Sequence, residues 1–262
     1  MKTCVKALLL AAVTLAAARP AAAGDDTADR WEFVRTTLFG DRPVQDAGPM
    51  LHLTIPGTLD AALVPVTVEL NLPKRVVALS LIVDSNPSPL AATFHLGPAF
   101  TPKILKVRVR VDDYTLIHAV AETEDGALYT TSQYMKMAGG CSAPGGGDPA
   151  AVAARIGKMQ LRRTRGIEGV KVPAELMISH PNYNGMQMDP ATHHYTPARY
   201  LQKITVTTGG VTIFDLDGDI SLSEDPVIGF GYAPAGDGTV DVLARDSTGA
   251  AFSRHFEALP QS

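Results

Sequence analysis

Among the side chains that could do chemistry in this chain, Cys141 stands apart. It lies in Ala138-Gly139-Gly140-Cys141-Ser142-Ala143-Pro144-Gly145-Gly146-Gly147, a run of small residues that can contribute almost nothing to a core. A thiol serves as nucleophile, metal ligand or covalent carrier, in each case through its thiolate. The chain has 2 cysteines, and the other, Cys4, falls in a leader-like segment. Removal of that segment leaves one unpaired thiol in an exported protein, where cysteines normally come in pairs. A structural free cysteine is usually buried in an apolar strand. The surroundings of Cys141 therefore point to a reactive or carrier thiol, the plainer alternative being a spacer whose cysteine is incidental. Gly139 and Gly140 precede it and three glycines follow, so the sequence predicts a mobile arm able to lift the thiol roughly 14 Å off its domain.

Other constellations offer less. Asp215, Asp217, Gly218, Asp219 and Glu224 resemble a calcium loop, but with Gly218 at the sixth position the first ligand would be Ile213. A polar turn is the simpler reading. Met177, His180, Met186, Met188, His193 and His194 are ligand types that suit copper, yet their spacing matches no closed set. No CxxC pair, strand-turn-helix GxSxG or supported pair of carboxylates is present. The sequence predicts neither a histidine base nor a helix N-terminus beside Cys141, which argues against a cysteine hydrolase. No catalytic residue, metal site or cofactor is expected.

Lys2 and Lys6 precede an apolar run from Ala7 to Ala18, followed by Ala21-Ala22-Ala23, the pattern of a secretory signal peptide over residues 1–23. The apolar run is too short to span a bilayer, and no later stretch approaches about 20 apolar residues. An exported, periplasmic protein without membrane insertion is expected. About 239 residues remain, enough for one large or two ordinary domains. A formal net charge of -4 and the lack of a basic patch exclude a nucleic-acid partner.

The elements that must position the thiol are mostly strands. Residues 26–39 have helical spacing, with Trp31, Val34 and Leu38 on one face. Period-two alternation follows: Val64, Val66, Val68 and Leu70 in one strand, Val77 to Val83 in a second, and Val107, Val109 and Val111 against Lys106, Arg108 and Arg110 in a third. Pro65 marks an edge or a strand beginning. Ile117 to Thr123 and Leu128 to Met137 flank a hairpin turn at Glu124-Asp125-Gly126. Beyond the glycine run, Asp148-Pro149 opens a short helix. A second series of strands runs from Val170 to Phe256, with turns at Thr208-Gly209-Gly210, Pro234-Ala235-Gly236-Asp237-Gly238 and Ser247-Thr248-Gly249. The basic run from Lys158 to Arg165 reads as a solvated strand face. The fold expected is all-β, with a sandwich in each half and short peripheral helices.

Specific motifs add a family likeness. Ile55-Pro56-Gly57, Val64-Pro65-Val66-Thr67-Val68, Asn86-Pro87-Ser88-Pro89, Val107-Arg108-Val109-Arg110, Ala119-Val120-Ala121-Glu122-Thr123 and Gly139-Gly140-Cys141 resemble SoxY, the sulfur-carrying subunit of bacterial thiosulfate oxidation. Val172-Pro173-Ala174, Met177-Ile178-Ser179-His180-Pro181 and the closing strands resemble its partner SoxZ. The whole is similar to fused SoxYZ-like carriers associated with quinoprotein dehydrogenases. The resemblance implies two immunoglobulin-like sandwiches, over 24–138 and 158–262, joined by a cysteine arm and linker over 139–157. It implies a non-enzymatic carrier that holds a sulfur adduct covalently on Cys141, served by Sox-type sulfur-oxidising enzymes or a quinoprotein dehydrogenase system. The loop carrying His180, Pro181 and Gly185 is expected to meet those partners. In SoxY the arm ends the chain, whereas here Ser142-Ala143-Pro144 follow and tether it at both ends. Two other readings stay open: a metal-binding or chaperone module that uses the methionine and histidine loop with Cys141 as an added soft ligand, and a structural adaptor.

Overall fold

The computed structural model describes residues 23–57, 60–101, 103–143, 147–164, 166, 172–189 and 192–260. The signal-peptide reading, Cys4 included, lies outside them apart from Ala23, as do Pro144, Gly145, Gly146 and Val170. Helix α1 (Ala23–Phe39) comes first, followed by strands β1 (Val44–Asp46), β2 (Leu51–Thr54), β3 (Val64–Leu70), β4 (Val76–Val83), β5 (Leu90–Leu96), β6 (Ile104–Val109), β7 (Thr115–Thr123) and β8 (Leu128–Met135). After helix α2 (Pro149–Arg155) come β9 (Met159–Arg163), β10 (Val172–Ile178), β11 (Leu201–Thr208), β12 (Val211–Gly218), β13 (Val227–Tyr232), β14 (Val240–Asp246) and β15 (Ala251–Phe256).

The strands form two sheets, in the orders β1-β8-β7-β4-β5-β12-β11-β14-β15 and β2-β3-β6-β13-β10-β9. Each sheet runs through both halves of the chain. The first crosses at an antiparallel pairing of β5 with β12, from Ala92 opposite Gly218 to Leu96 opposite Phe214. The second crosses where Lys106 of β6 faces Gly229 of β13. The halves are therefore fused edge to edge, and the glycine run is only one of their connections. Strand edges expose unpaired backbone groups, and each half covers two such edges of the other.

Burial follows the alternation in the sequence. Val64, Val66, Val68 and Leu70 of β3, and Leu105, Val107 and Val109 of β6, point into a single apolar core that continues through Leu176, Ile204, Phe214 and Ile228 of the second half. Phe94 meets Phe214 edge-on at 5.7 Å, and Phe214 meets Phe230 at 5.1 Å, so aromatic packing also crosses the junction. Pro65 is the second residue of β3, where a missing N–H is tolerated, although β3 itself lies inside its sheet between β2 and β6. Gly97, just past β5, must be glycine for a different reason: an added Cβ would lie 2.2 Å from the Thr212 carbonyl oxygen.

Helix α1 lies on the outer face of the first sheet, with Trp31, Val34 and Leu38 packed against Ile82, Val120 and Leu128. Trp31 stacks on His118 at 3.7 Å, and His118 Nε2 lies 3.1 Å from Asp84 Oδ2. Gly40, at φ +62, ends the helix by donating its amide to the Thr36 carbonyl. The short helix α2 begins where expected, with the Asp148 carboxylate accepting from the amides of Ala150 and Ala151. Of the acidic stretch read as a polar turn, Asp219 and Glu224 do lie in turns beyond β12, but the first part is strand. Asp215 and Asp217 stand on β12, where Thr205 donates to Asp215 and Lys203 pairs with Asp217 at 2.9 Å.

One core shared by both halves has a measurable consequence. Leu216→Ala, in the second half, empties a fully buried site and is expected to cost about 2–5 kcal/mol. The fluorescence of Trp31, the single tryptophan and a reporter of the first half, should shift to lower denaturant by the same amount as far-UV circular dichroism. Separate midpoints for the two signals would mean that the halves unfold independently.

Candidate functional site: a docked cysteine between the halves

Cys141 is a free thiol, 1% exposed. The expectation of a mobile arm held away from the domain is corrected by the structure, because residues 139–143 are docked. The Gly139 amide donates to the Asp112 carbonyl at 2.8 Å, the Gly140 amide to the Val111 carbonyl at 2.9 Å, and the Ala143 amide closes a turn on the Gly139 carbonyl. The two glycines serve this docking separately. Gly139 sits at φ +83, which favours glycine, whereas at Gly140 a Cβ would lie 2.1 Å from the Ala61 carbonyl oxygen and 2.7 Å from that of Val111. Close approach, rather than freedom to move, is what Gly140 provides.

The seat of the arm is the segment 110–112, which continues from β6 along the junction of the halves. Asn86, from the Asn86-Pro87-Ser88-Pro89 turn, holds it: its Nδ2 donates to the Arg110 carbonyl at 2.8 Å and to Ser221 Oγ at 2.9 Å, and its Oδ1 accepts from the Asp112 amide at 2.9 Å. The Arg110 amide donates to the Ser221 carbonyl and the Val111 amide to the Ala61 carbonyl. Strand alternation ends here, since Val109, Arg110 and Val111 are all buried. Arg110 was expected on the solvated face with Lys106 and Arg108, but it lies inside.

From the second half, Asn184 closes over the thiol segment and donates Nδ2 to the Cys141 carbonyl at 2.7 Å. Asn184 is itself held, its amide donating to Gln187 Oε1 and its Oδ1 accepting from the Met186 amide. His180 and Pro181, expected at a partner surface, are buried, and Gly185 is half-buried against Ala198. His180 braces the loop from within, with Nδ1 at 2.7 Å from Asn182 Oδ1 and Nε2 at 3.5 Å from Asp246 Oδ2. Burial pushes its imidazole below the ordinary range, so it is neutral at pH 7. His193, His194 and Met188 are exposed on the same loop, and among the described residues no three His, Cys, Asp or Glu side chains gather as a metal site. A groove of about 300 Å³ on the outer face of the second sheet, over Lys106, Glu175 and Gly229, lies apart from the thiol.

Burial, first, and then the negative charge of Asp112 push the Cys141 thiol up to about 12. Arg110 opposes this shift, and so does Asn184, which favours the thiolate. The docked thiol is thus protonated and unreactive at neutral pH. Sequence reasoning singled out the cysteine and its glycines but missed Arg110 and Asp112 of the seat and Asn184 of the second half, which come from two separate stretches. The signal for Arg110 was hidden because Lys106 and Arg108, four and two residues earlier, obey the alternation that it breaks.

Family models match the chain twice, as "Sulfur oxidation protein SoxY" over residues 35–141 and as "Sulphur oxidation protein SoxZ" over residues 162–257. The chain belongs to the SoxYZ family, with both partners fused in one polypeptide. That family comprises sulfur carriers of sulfur oxidation, which work with Sox enzymes, and Cys141 is the last residue of the SoxY match. Among solved structures, the sulfur carrier protein SoxY from Chlorobium limicola f thiosulfatophilum is 22% identical, with 44% of this chain covering 96% of that one at a TM-score of 0.36. A β-glycosidase from Bacteroides vulgatus is 12% identical at a TM-score of 0.25, and the 86% of this chain that aligns spans 26% of its length. No curated protein matches the chain. The family assignment rests on the two tandem matches rather than on these structural likenesses. Among the described residues of this SoxYZ fusion, no helix is long and apolar enough to cross a membrane.

The docked geometry predicts how the thiol titrates. The docked state binds the thiol proton more tightly than the released state. Docking is therefore strongest below the ordinary thiol pKa of 9.0 and weakens as pH rises towards about 12. Alkylation by iodoacetamide should keep rising about tenfold per pH unit beyond pH 9.0 in the folded protein, while the urea-unfolded protein levels off there; a plateau near that pH in the folded protein would rule out the docked thiol.

Gly140→Ala provides a second check. The added Cβ clashes with the Ala61 and Val111 carbonyls, so this variant should be alkylated roughly thirty- to a thousandfold faster than wild type, the release of two backbone hydrogen bonds and the one from Asn184. Its unfolding midpoint should stay close to that of wild type. Unchanged labelling would show that the segment does not seat as described.

Proposed function

We propose that this SoxYZ fusion is an exported carrier whose Cys141 holds a sulfur-containing group covalently while partner enzymes act on it. The observation that carries the reading is the placement of one free thiol at the end of the SoxY match, seated by Asn184 of the SoxZ half. Loading is written as Cys–SH + RS⁻ → Cys–S–SR + H⁺ + 2e⁻. One S–H bond breaks, one S–S bond forms, and the two electrons pass to a partner oxidoreductase. Because the docked thiol is protonated, loading proceeds from the released segment, whose thiol has an ordinary pKa and a few per cent thiolate at pH 7. Fusion keeps the halves together at any dilution, and with them the seat of the arm.

Export rests on the leader pattern of residues 1–23, and the partners on the family: Sox-type sulfur-oxidising enzymes, with a quinoprotein dehydrogenase system as the alternative client. Intact mass of the protein purified from the exported fraction, before and after reductant and beside Cys141→Ser, tests the proposal. Reductant-labile additions in multiples of sulfur, absent from Cys141→Ser, are the expected result. A bare thiol after incubation with thiosulfate or sulfide and cell extract would remove the carrier role.

A further inference from the structure

Arg110 has a chemical problem that the bare thiol does not solve. Its side chain is 1% exposed, yet its contacts are two carbonyls at long range, Nη1 to Gly140 at 3.3 Å and Nη2 to Asn182 at 3.4 Å. Nε has no partner, and no carboxylate of the described residues pairs with the guanidinium. A guanidinium carries five N–H donors and keeps its charge in proteins, and buried charges are normally paired. The cation is aimed at the cysteine segment, since one of its two carbonyls belongs to the residue before Cys141.

We propose that Arg110 is the anion-binding residue of the Cys141 seat and holds the negative charge of a sulfonate- or persulfide-type group attached to the sulfur. The proposal rests on the carrier reading and assigns Arg110 as the residue that contacts the cargo. The seat then has two poles. Asp112, half-buried, sets a negative charge near the thiol and so favours the protonated, empty carrier. Loading replaces the S–H by an anionic group; Asp112 is on a side open to solvent, and the new anion lies beside Arg110. Mutual electrostatic coupling of Arg110 and Cys141 accords with this arrangement, Arg110 favouring negative charge at the sulfur and the reverse. Glu224, more strongly than Cys141, and Asp60, less strongly, also favour the charged guanidinium, without a hydrogen bond to it. Gly139 and Ser142 are on the exposed side of the turn, where the segment can back off to admit a larger group.

The test compares two adducts made chemically on Cys141. Methyl methanethiosulfonate gives the neutral Cys–S–SCH₃. For the anionic form, the mixed disulfide with thionitrobenzoate reacts with sulfite, Cys–S–S–Ar + SO₃²⁻ → Cys–S–SO₃⁻ + ArS⁻, which breaks one S–S bond and expels the arylthiolate. The readout is the rate of adduct removal by dithiothreitol, divided by the rate for the same adduct in urea-unfolded protein. In wild type the sulfonate should be protected. Arg110→Met should lose roughly ten- to a hundredfold of that protection, the range of one charge-assisted hydrogen bond, and the methylthio adduct less than about threefold, with Arg110→Lys between.

Equal loss for both adducts would make Arg110 a staple for two carbonyls and overturn the proposal. So would a wild-type sulfonate removed at the unfolded rate. Should Arg110→Met fail to fold, hydrogen exchange of residues 139–143 in the wild type decides. The proposal requires slower exchange in the sulfonate form than in the methylthio form, and the opposite order defeats it. Because both adducts are made by reagent, failure here leaves the carrier reading to its own test on exported protein.

Discussion

The edge-to-edge pairing of the two halves is the constraint on which the rest of this structure depends. The five-residue register of β5 with β12 and the closer crossing at Lys106 and Gly229 turn two sandwiches into two continuous layers over one core. Such a junction must satisfy every backbone group along it. Where regular pairing ends, beyond Val109, the chain resorts to side chains. Asn86 from one half and Ser221 from the other hold residues 110–112 in place. The seat of the cysteine is a by-product of this repair, because residues 110–112 keep carbonyls free to receive the amides of Gly139 and Gly140. The lid, Asn184, comes from the second half, so the complete seat requires both.

Energetics then follow from counting what holds the segment. Two backbone hydrogen bonds to residues 111 and 112 and one from Asn184 hold it, each worth about 0.5–1.5 kcal/mol net. Together they amount to roughly 2–4 kcal/mol, which leaves the released form at about one part in thirty to one in a thousand. A partner that binds the released arm has its apparent affinity lowered by that fraction. In the docked form the sulfur is withdrawn from solvent. Rigid packing and a reactive thiol coexist here because the docking is strong enough to protect and weak enough to open.

The layers and most strands were legible in the sequence because period-two burial is written directly in residues such as Val64, Val66 and Val68, and Trp31, Val34 and Leu38 mark the helix in the same way. Junction and seat were not legible. Edge pairing is carried by backbone groups, which leave little trace in side-chain type, and β12 hides its length behind Asp215 and Asp217, whose outward face makes a strand look like a polar turn. The glycines beside Cys141 were visible but ambiguous. Glycine permits motion and it permits close approach, and only the carbonyls of Ala61 and Val111 decide for Gly140. Asn184 was invisible as a contact for another reason: its partner is the carbonyl of Cys141, and any residue offers one.

Tethering at both ends sets the remaining limit. On the carrier reading, Cys141 travels no farther than its shorter leash, the four residues from Met137, or roughly 14 Å when extended. A free C-terminal arm can thread a tunnel, whereas a loop must present two strands of chain at once and needs a wider entrance. The same tether lowers the entropy lost when the segment returns to its seat, because a short closed loop samples fewer released conformations than a free end. Return is favoured and reach is restricted by one covalent fact. The architecture therefore suits partners whose reacting groups lie in open clefts near their surfaces, and it makes speed of return rather than depth of delivery the property in which the fused carrier gains over a free arm.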